Sequence, residues 1–370
     1  MLRSLLLLCA VSIATQTLRA ETPNVQETRI SFLVCGDPQY LAEHADQPMQ
    51  LDPLSEQANR GFVKRVLALP GSTLPEAMGG GVVAADLRGL INTGDLIDSL
   101  DKTGGQYPAM QRYEWQRFLA DYGLTGQDGR IPLPVYEIHG NHDGPQGDTF
   151  VVDAIINRNK QRPGVLHLSS NGLHYSWDWG PVHLINLGIF VGAGERRRKD
   201  HHYAPRASLE FLKADLAKHV GDSGRPVIIS HHLHLDAPEY DWPAEDLAAY
   251  YDAIRGYNVV AIFNGHTHGS PPKHRRWNGK QISRTIEGID NYDPDDAGAS
   301  KLHKGKPVGL AHGLLYVQII DRPGTQQDAM LVRSYVTRDN WKTAHWDRLW
   351  KKPIKSPDDD DDGASDDAPR

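Results

Sequence analysis

The sequence predicts an α/β fold, on three observations. Short apolar runs alternate with amphipathic helical segments through roughly the first two thirds of the chain, the pattern of buried strands joined by helices. Five of those runs stop at a cluster of Asp, Asn or His, usually beside a glycine. And 39% of the 370 residues are hydrophobic against 24% charged, enough apolar material for one large domain or two ordinary ones.

At the N-terminus, Arg3 precedes the apolar run Leu5–Ala14, with small residues at Ser12, Ala14 and Ala20. This predicts a signal peptide within residues 1–20, cleaved after Ala14 or Ala20, and hence a secreted or periplasmic protein with no stable membrane insertion once the signal is removed. Cys9 lies inside that segment, so Cys35 is left alone in the mature chain. A single cysteine closing an apolar strand is a small buried hydrophobe, not half of a disulfide.

Ile30–Cys35 reads as a buried strand that delivers Asp37 and Gln39 to its C-terminal edge, where ligands gather in open α/β sheets. A helix follows over Ser55–Leu69, stopped by Pro70. The glycines 79–81 lack the Lys-Ser/Thr of a phosphate loop and predict a flexible connector. Gly89–Thr93 is the next strand, ending in Gly94-Asp95-Leu96-Ile97-Asp98. After a helix over Ala109–Tyr122, the strand Pro134–Ile138 ends in His139-Gly140-Asn141-His142-Asp143, where Gly140 lets the backbone turn sharply and come close to what the side chains hold.

A helix over Thr149–Asn159 comes next, and then a hairpin of His174–Trp179 and Val182–Leu187 about Gly180-Pro181. The loop 192–203, with Arg196, Arg197, Arg198, Lys199, His201 and His202, reads as a solvated basic loop, the alternative being a loop that helps hold a dianionic or polyphosphorylated group. Ser208–Val220 is helical; the strand Val227–Ser230 runs into His231-His232. Pro243 opens a helix to Gly256, and the strand Val259–Phe263 ends in Asn264-Gly265-His266-Thr267-His268. Strands near Arg284–Ile289, Leu314–Ile320 and Ala329–Val336 complete the pattern.

The net charge of −7 is concentrated in the C-terminal tail: Asp358–Arg370 holds seven Asp against one Arg. Residues 351–370 therefore predict an acidic disordered tail, and the near-neutral remainder carries no broad basic field for nucleic acid.

Asp37, Asp95, Asn141-His142, His231 and His266/His268 together offer carboxylate, amide and imidazole donors, a set suited to Mn, Fe, Zn, Co or Ni and poorly suited to Ca. In this order, Asp-x-(His/Gln), Gly-Asp-x-x-Asp, Gly-Asn-His-(Asp/Glu), a strand ending in His, then Gly-His-x-His, the chain resembles the calcineurin-like metallophosphoesterases from Ile30 to Val336, and the domain is bounded at 28–340. The resemblance implies a four-layer α/β/β/α sandwich of two mixed sheets and a centre of two divalent or trivalent transition-metal ions. Carried over by residue, it implies Asp95 bridging the two, Asp37, His268 and the weaker Gln39 at the first, and Asn141, His231 and His266 at the second. It implies a hydroxide held between the cations as nucleophile, His142 as the acid on the leaving oxygen and Asp98 as the carboxylate that orients it. Gln39 stands where many members have His, which weakens the first site. Ser99 stands where the protein Ser/Thr phosphatases have Arg, which disfavours that assignment.

The implied activity is hydrolysis of a small-molecule phosphate ester, with a monoester favoured. A phosphodiesterase with the same centre and a catalytically silent metal-binding module are the two other readings.

Overall fold

The computed structural model describes residues 27–43, 48–235, 242–268, 271–321 and 328–354. The signal segment and residues 356–370 lie outside that span.

In chain order the strands begin with β1 (Thr28–Cys35), β2 (Leu90–Asn92), β3 (Val135–Glu137), β4 (Val165–Leu168), β5 (Tyr175–Trp179) and β6 (Val182–Asn186). They continue with β7 (Val227–Ser230), β8 (Val259–Phe263), β9 (Lys273–Trp277), β10 (Ile282–Ser283) and β11 (Ile289–Asp293). A small hairpin, β12 (Lys301–His303) and β13 (Lys306–Val308), precedes the long β14 (His312–Asp321), β15 (Ala329–Thr337) and β16 (His345–Pro353). The helices are α1 (Pro53–Ala68), α2 (Tyr107–Asp121), α3 (Phe150–Gln161), α4 (Ser208–Asp215), continued by a π turn over Leu216–Val220, and α5 (Ala244–Ile254).

Two mixed sheets result. One runs β16-β15-β14-β1-β2-β3, the other β10-β9-β11-β8-β7-β6-β5-β4. Strands β1, β2 and β3 are parallel, as are β6, β7, β8 and β11, so their C-terminal ends share one edge in each sheet. Antiparallel pairing adds β14 beside β1, in register from Thr28↔Asp321 to Val34↔Leu315.

The period-two alternation of the strands sorts their side chains into three cores, and these define four layers. Ile30, Phe32 and Val34 of β1 face Trp177, Leu184, Ile228 and Phe263 of the other sheet. Their neighbours Leu33 and Cys35 point the other way, under Phe62 and Val66 of α1 and Phe118 of α2. On the far side, Ile185, Ile229 and Ile262 meet Leu212 of α4 and Tyr250 of α5. This is the expected α/β/β/α sandwich. Cys35 is fully buried, and burial together with nearby Asp37 pushes its thiol well up, as a packing residue requires.

Three boundaries differ from expectation. The strand expected near Arg284–Ile289 is instead β11, starting at Ile289, with β9 and β10 ahead of it. The helix over Ser208–Val220 changes to a π turn after Asp215. And β16 pairs with β15 through Pro353, with Ile354 buried behind it, so the folded domain runs past 340 and residues 351–354 belong to it, not to the acidic tail. The reason is composition: His345–Pro353 is an edge strand with only part of its surface covered, so it lacks the apolar run that marks the others.

Candidate metal centre

The strand-end clusters meet where the C-terminal edges of the two sheets adjoin. Asp37, just after β1, and Asp95, after β2, are both buried; His266 and His268 come from the end of β8. Asp37, Gln39, Asp95 and His266 all have φ between 34° and 75°. Non-glycine residues rarely adopt this left-handed conformation, and such strain persists where surrounding structure imposes it, typically at functional sites. Here the turns reverse the chain at once after each strand and aim the side chains into one space.

Close backbone approach at Gly140 makes the space possible. A Cβ there would overlap Asp95 Oδ1 and the Asp95 backbone nitrogen. Gly265 plays the same part for Asp37 and Thr93.

Two donor sets form around one carboxylate. Asp95, His232 and His266 offer ligand atoms within 4.8 Å of one another, and so do Asp37, Asp95 and His268. His232 Nε2 lies 2.9 Å from Asn141 Oδ1 and 3.3 Å from Asp95 Oδ2; His268 Nε2 lies 3.2 Å from Asp37 Oδ1. Gln39 Nε2 reaches Asp95 Oδ2 at 3.4 Å, so it sits at the site as a distant contact.

The expected second-site ligand His231 is not there. It is His232 that faces Asp95 and Asn141, while His231 is buried edge-on against Trp242 and Tyr250, its ring nitrogens without hydrogen-bond partners. Burial pushes its pKa down to about 3, so it is a neutral ring in an aromatic core. The layers supply the reason. His231 continues the β7 face of Ile229, which packs against α5, whereas His232 continues the face of Ile228, which looks toward the other sheet and its carboxylates. Substituting the two residues separates these roles: His232→Ala should lose bound metal and at least about 10²-fold in turnover, whereas His231→Phe should keep both, with any cost confined to stability. Metal analysis beside a hydrolysis assay reads the difference, and a larger activity loss in His231→Phe would reverse the assignment.

The electrostatics fit cations. Burial alone would raise the Asp95 carboxyl, but His232, with His142 and His266 nearby, holds it far below the usual range. Burial would lower His232, yet Asp95 lifts it to about 9; likewise Asp37 overcomes burial to lift His268 to about 10. Burial and the neighbouring His232 push His266 down to about 3, leaving a neutral donor. Among the described residues no Lys or Arg pairs with Asp37 or Asp95. The carboxylates are thus balanced by imidazoliums standing in positions that metal ions would take over, with release of their protons. The residues fit two divalent ions sharing Asp95.

His142 Nδ1 lies 2.7 Å from the backbone carbonyl of Asp98, which can only accept, so that nitrogen carries a proton. Burial lowers the His142 pKa, but Asp95 and Asp98 outweigh it and the net shift is upward. The expected orienting carboxylate does something else: Asp98 Oδ2 is 2.6 Å from Lys102 Nζ, and it is the main-chain oxygen of Asp98 that fixes the ring. Ser99, the residue that departs from the protein-phosphatase pattern, donates its hydroxyl to buried Glu114 at 2.6 Å.

Sequence reasoning named Asp143 as part of its strand-end cluster but gave it no role. Its carboxylate accepts from the backbone nitrogens of Leu96, Ile97 and Gly140, stitching the loop that carries Asp95 to the loop that carries Asn141. The signal was available in Gly-Asn-His-Asp itself, where an acid follows two site residues.

A cavity of about 370 Å³ opens beside the centre, lined by Gln39, Asp98, His142, His268 and, from the small hairpin, Lys301 and Val308. The hairpin turns at Lys304-Gly305, both at positive φ, and its Lys301, His303, Lys304 and Lys306 are exposed. Asp52 anchors it, capping α1 through Leu54 N and Ser55 N while its other oxygen accepts Leu302 N at 3.0 Å. The basic loop 196–202 contributes nothing to that cavity. Its Arg198 is engaged by Asp246 at 2.8 Å and by Glu245.

Residues 30–270 match the calcineurin-like phosphoesterase family. No curated protein matches the chain. Among solved structures it is similar to TT1561 of Thermus thermophilus, with 14% identity, 78% of this chain and 94% of that one covered and a TM-score of 0.40. It is also similar to a phosphatase from Mycoplasma pneumoniae, with 14% identity, 90% and 96% covered and a TM-score of 0.37.

Proposed function

The chain belongs to the calcineurin-like phosphoesterase family, which makes it a metal-dependent phosphoric ester hydrolase, and from that premise we propose that it is an exported phosphomonoesterase with a dinuclear centre. The observation that carries the reading is the sharing of Asp95 between two donor sets, Asp37 with His268 on one side and His232 with His266 on the other. Asn141 completes the second set and Gln39 is a weak addition to the first. Export rests on Arg3 and the apolar run Leu5–Ala14; among the described residues no helix is long and apolar enough to cross a membrane.

When bound, such ions supply an activated water at neutral pH and neutralise charge on the phosphoryl oxygens. The chain's own residues do the rest. Asp95 fixes the spacing of the two donor sets. His142, with Nδ1 committed to the Asp98 carbonyl, has Nε2 left for the cavity it lines, where it can hand a proton to the leaving oxygen.

Preference for a monoester is supported by the hairpin rather than by the loop 196–202. Lys301 lines the cavity, and with the exposed His303, Lys304 and Lys306 of the same hairpin it favours a substrate with two or more negative charges, whereas a diester carries one per phosphate. Purified protein given Mn, Fe, Zn, Co or Ni should hydrolyse an aryl phosphate faster than a bis-aryl phosphate. Lys304→Glu with Lys306→Glu should raise KM by about 10-fold for a substrate with a further anionic group, at roughly 0.5–1 kcal/mol per exposed charge, and change aryl phosphate hydrolysis little. Preferential turnover of the diester would replace the monoester reading with a phosphodiesterase.

A further inference from the structure

A second group of metal-ligating side chains lies on the helix-covered face of the eight-stranded sheet, remote in sequence from the centre described above. His167 of edge strand β4 places Nδ1 2.8 Å from Asp215 Oδ1, at the end of α4. His219, on the π turn that follows, lies over both: its ring centroid is 5.4 Å from that of His167, and its Nε2 is buried with no hydrogen-bond partner. One ligand atom from each of His167, Asp215 and His219 lies within 4.8 Å of the other two. Buried imidazole nitrogens ordinarily find partners, and an orphan aimed near a carboxylate and a second imidazole wants a cation. Widened π turns recur at functional sites, and this one carries His219.

We propose that His167, Asp215 and His219 form a separate mononuclear site for Zn²⁺. Two imidazoles and one carboxylate are a zinc donor set, with a water as the fourth ligand. Tetrahedral Zn–N and Zn–O bonds of about 2.0–2.2 Å set the donor atoms about 3.3–3.6 Å apart, so His167 Nδ1 and Asp215 Oδ1, now 2.8 Å apart, would open to admit the ion while His219, within 4.8 Å of both, closes on it. The surrounding hydrogen bonds are those that orient a metal ligand. Ser176 donates to Asp215 Oδ1 at 2.7 Å, and Asp215 Oδ2 faces His183 Nε2 at 2.7 Å. The other nitrogen of His183 meets Asp178 at 2.7 Å, and Arg225 holds Asp178 at 3.0 Å. Lys218, next to His219 on the turn, is the cation that opposes a bound ion, and it is exposed. The bound ion would clamp α4 to β4, the last strand of its sheet.

Titrating the metal-stripped full chain with ZnCl₂ in a calorimeter, with metal analysis after dialysis, tests this. The expected result is one zinc per chain beyond those lost in Asp95→Asn, and loss of that one equivalent in His219→Gln and in His167→Gln, with phosphate ester hydrolysis at saturating metal unchanged. Zinc should also raise the melting temperature of Asp95→Asn protein, and this increment should vanish when His219→Gln is added. Circular dichroism of the two Gln variants verifies the fold; Ser176→Ala, which leaves all three ligands in place, should retain the ion with weaker affinity, by about 10-fold. Equal zinc content in the His219→Gln variant and the parent would overturn the proposal, whatever the hydrolysis assay shows.

Discussion

Asp95→Asn is expected to lose turnover by about 10³-fold, at or beyond the cost of deleting one preorganised charge-stabilising group, and to lose metal at both positions of the centre together. The amide keeps the shape of the side chain and one acceptor oxygen, so His142 N, 2.8 Å from Oδ1, still finds its partner and the loop is held. The charge is what disappears. His232 then faces a neutral group at 3.3 Å, its raised pKa relaxes downward, and the two donor sets no longer share an anion. Metal content and kcat measured on the same preparation distinguish this from simple unfolding, which the retained near-UV spectrum would exclude. Near-normal turnover, or loss of one ion alone, would dismiss the shared-carboxylate centre.

Glu137→Gln is expected to carry the largest stability cost, about 3–5 kcal/mol, out of a total on the order of 5–15 kcal/mol. Glu137 ends β3, two residues before the site loop, and is fully buried. Its carboxylate meets Arg158 Nε at 2.6 Å and Arg162 at 2.8 Å. Arg162 is itself buried, flanked by the rings of Tyr136 and Tyr175. Removing the anion leaves two guanidiniums with no counter-charge. The pH dependence has a definite sign. Burial raises the Glu137 carboxyl but the two arginines prevail and hold it down to about 2, against 4.5 for an ordinary glutamate. Its contribution, about 3 kcal/mol at 1.36 kcal/mol per unit, is fully present above pH about 4.5 and is lost as pH falls toward 2. Urea midpoints of wild type and Glu137→Gln should therefore differ most at neutral pH and converge only as pH approaches about 2. A constant difference across that range would show that the amide fails for steric rather than electrostatic reasons.

These two residues mark the limits of what the sequence displays. Asp95 was legible because an apolar run, a glycine and an acid in succession announce a strand delivering a ligand, and the same grammar exposes Asp37, Asn141, His266 and His268. His232 was hidden by parity: alternation says that His231 and His232 face opposite ways but not which way leads to the centre, and that depends on where α5 and the second sheet lie. Glu137, Arg158 and Arg162 were hidden because an ion pair between a strand and the far end of a helix leaves no periodic trace. The hairpin of Lys301–Val308 carries no apolar alternation, so only its Lys-Gly turn hinted at it. The Asp98 carbonyl illustrates a further limit, since a motif names a residue and not which of its atoms is used.

The placement of β1 between β2 and β14 sets the order in which this protein can be built. Its partners Thr28 and Asp321 are about 290 residues apart, so the sheet that carries Asp37 and Asp95 cannot close on that side until nearly the whole chain has left the ribosome. At roughly 5–20 residues per second, β1 waits on the order of 15–60 s with its backbone edge unpaired and Ile30, Phe32 and Val34 uncovered. Contacts this distant in sequence make for slow folding and a prolonged hazard of edge-to-edge association. A chain cut before β14 will expose that edge permanently even though every residue placed at the centre is present.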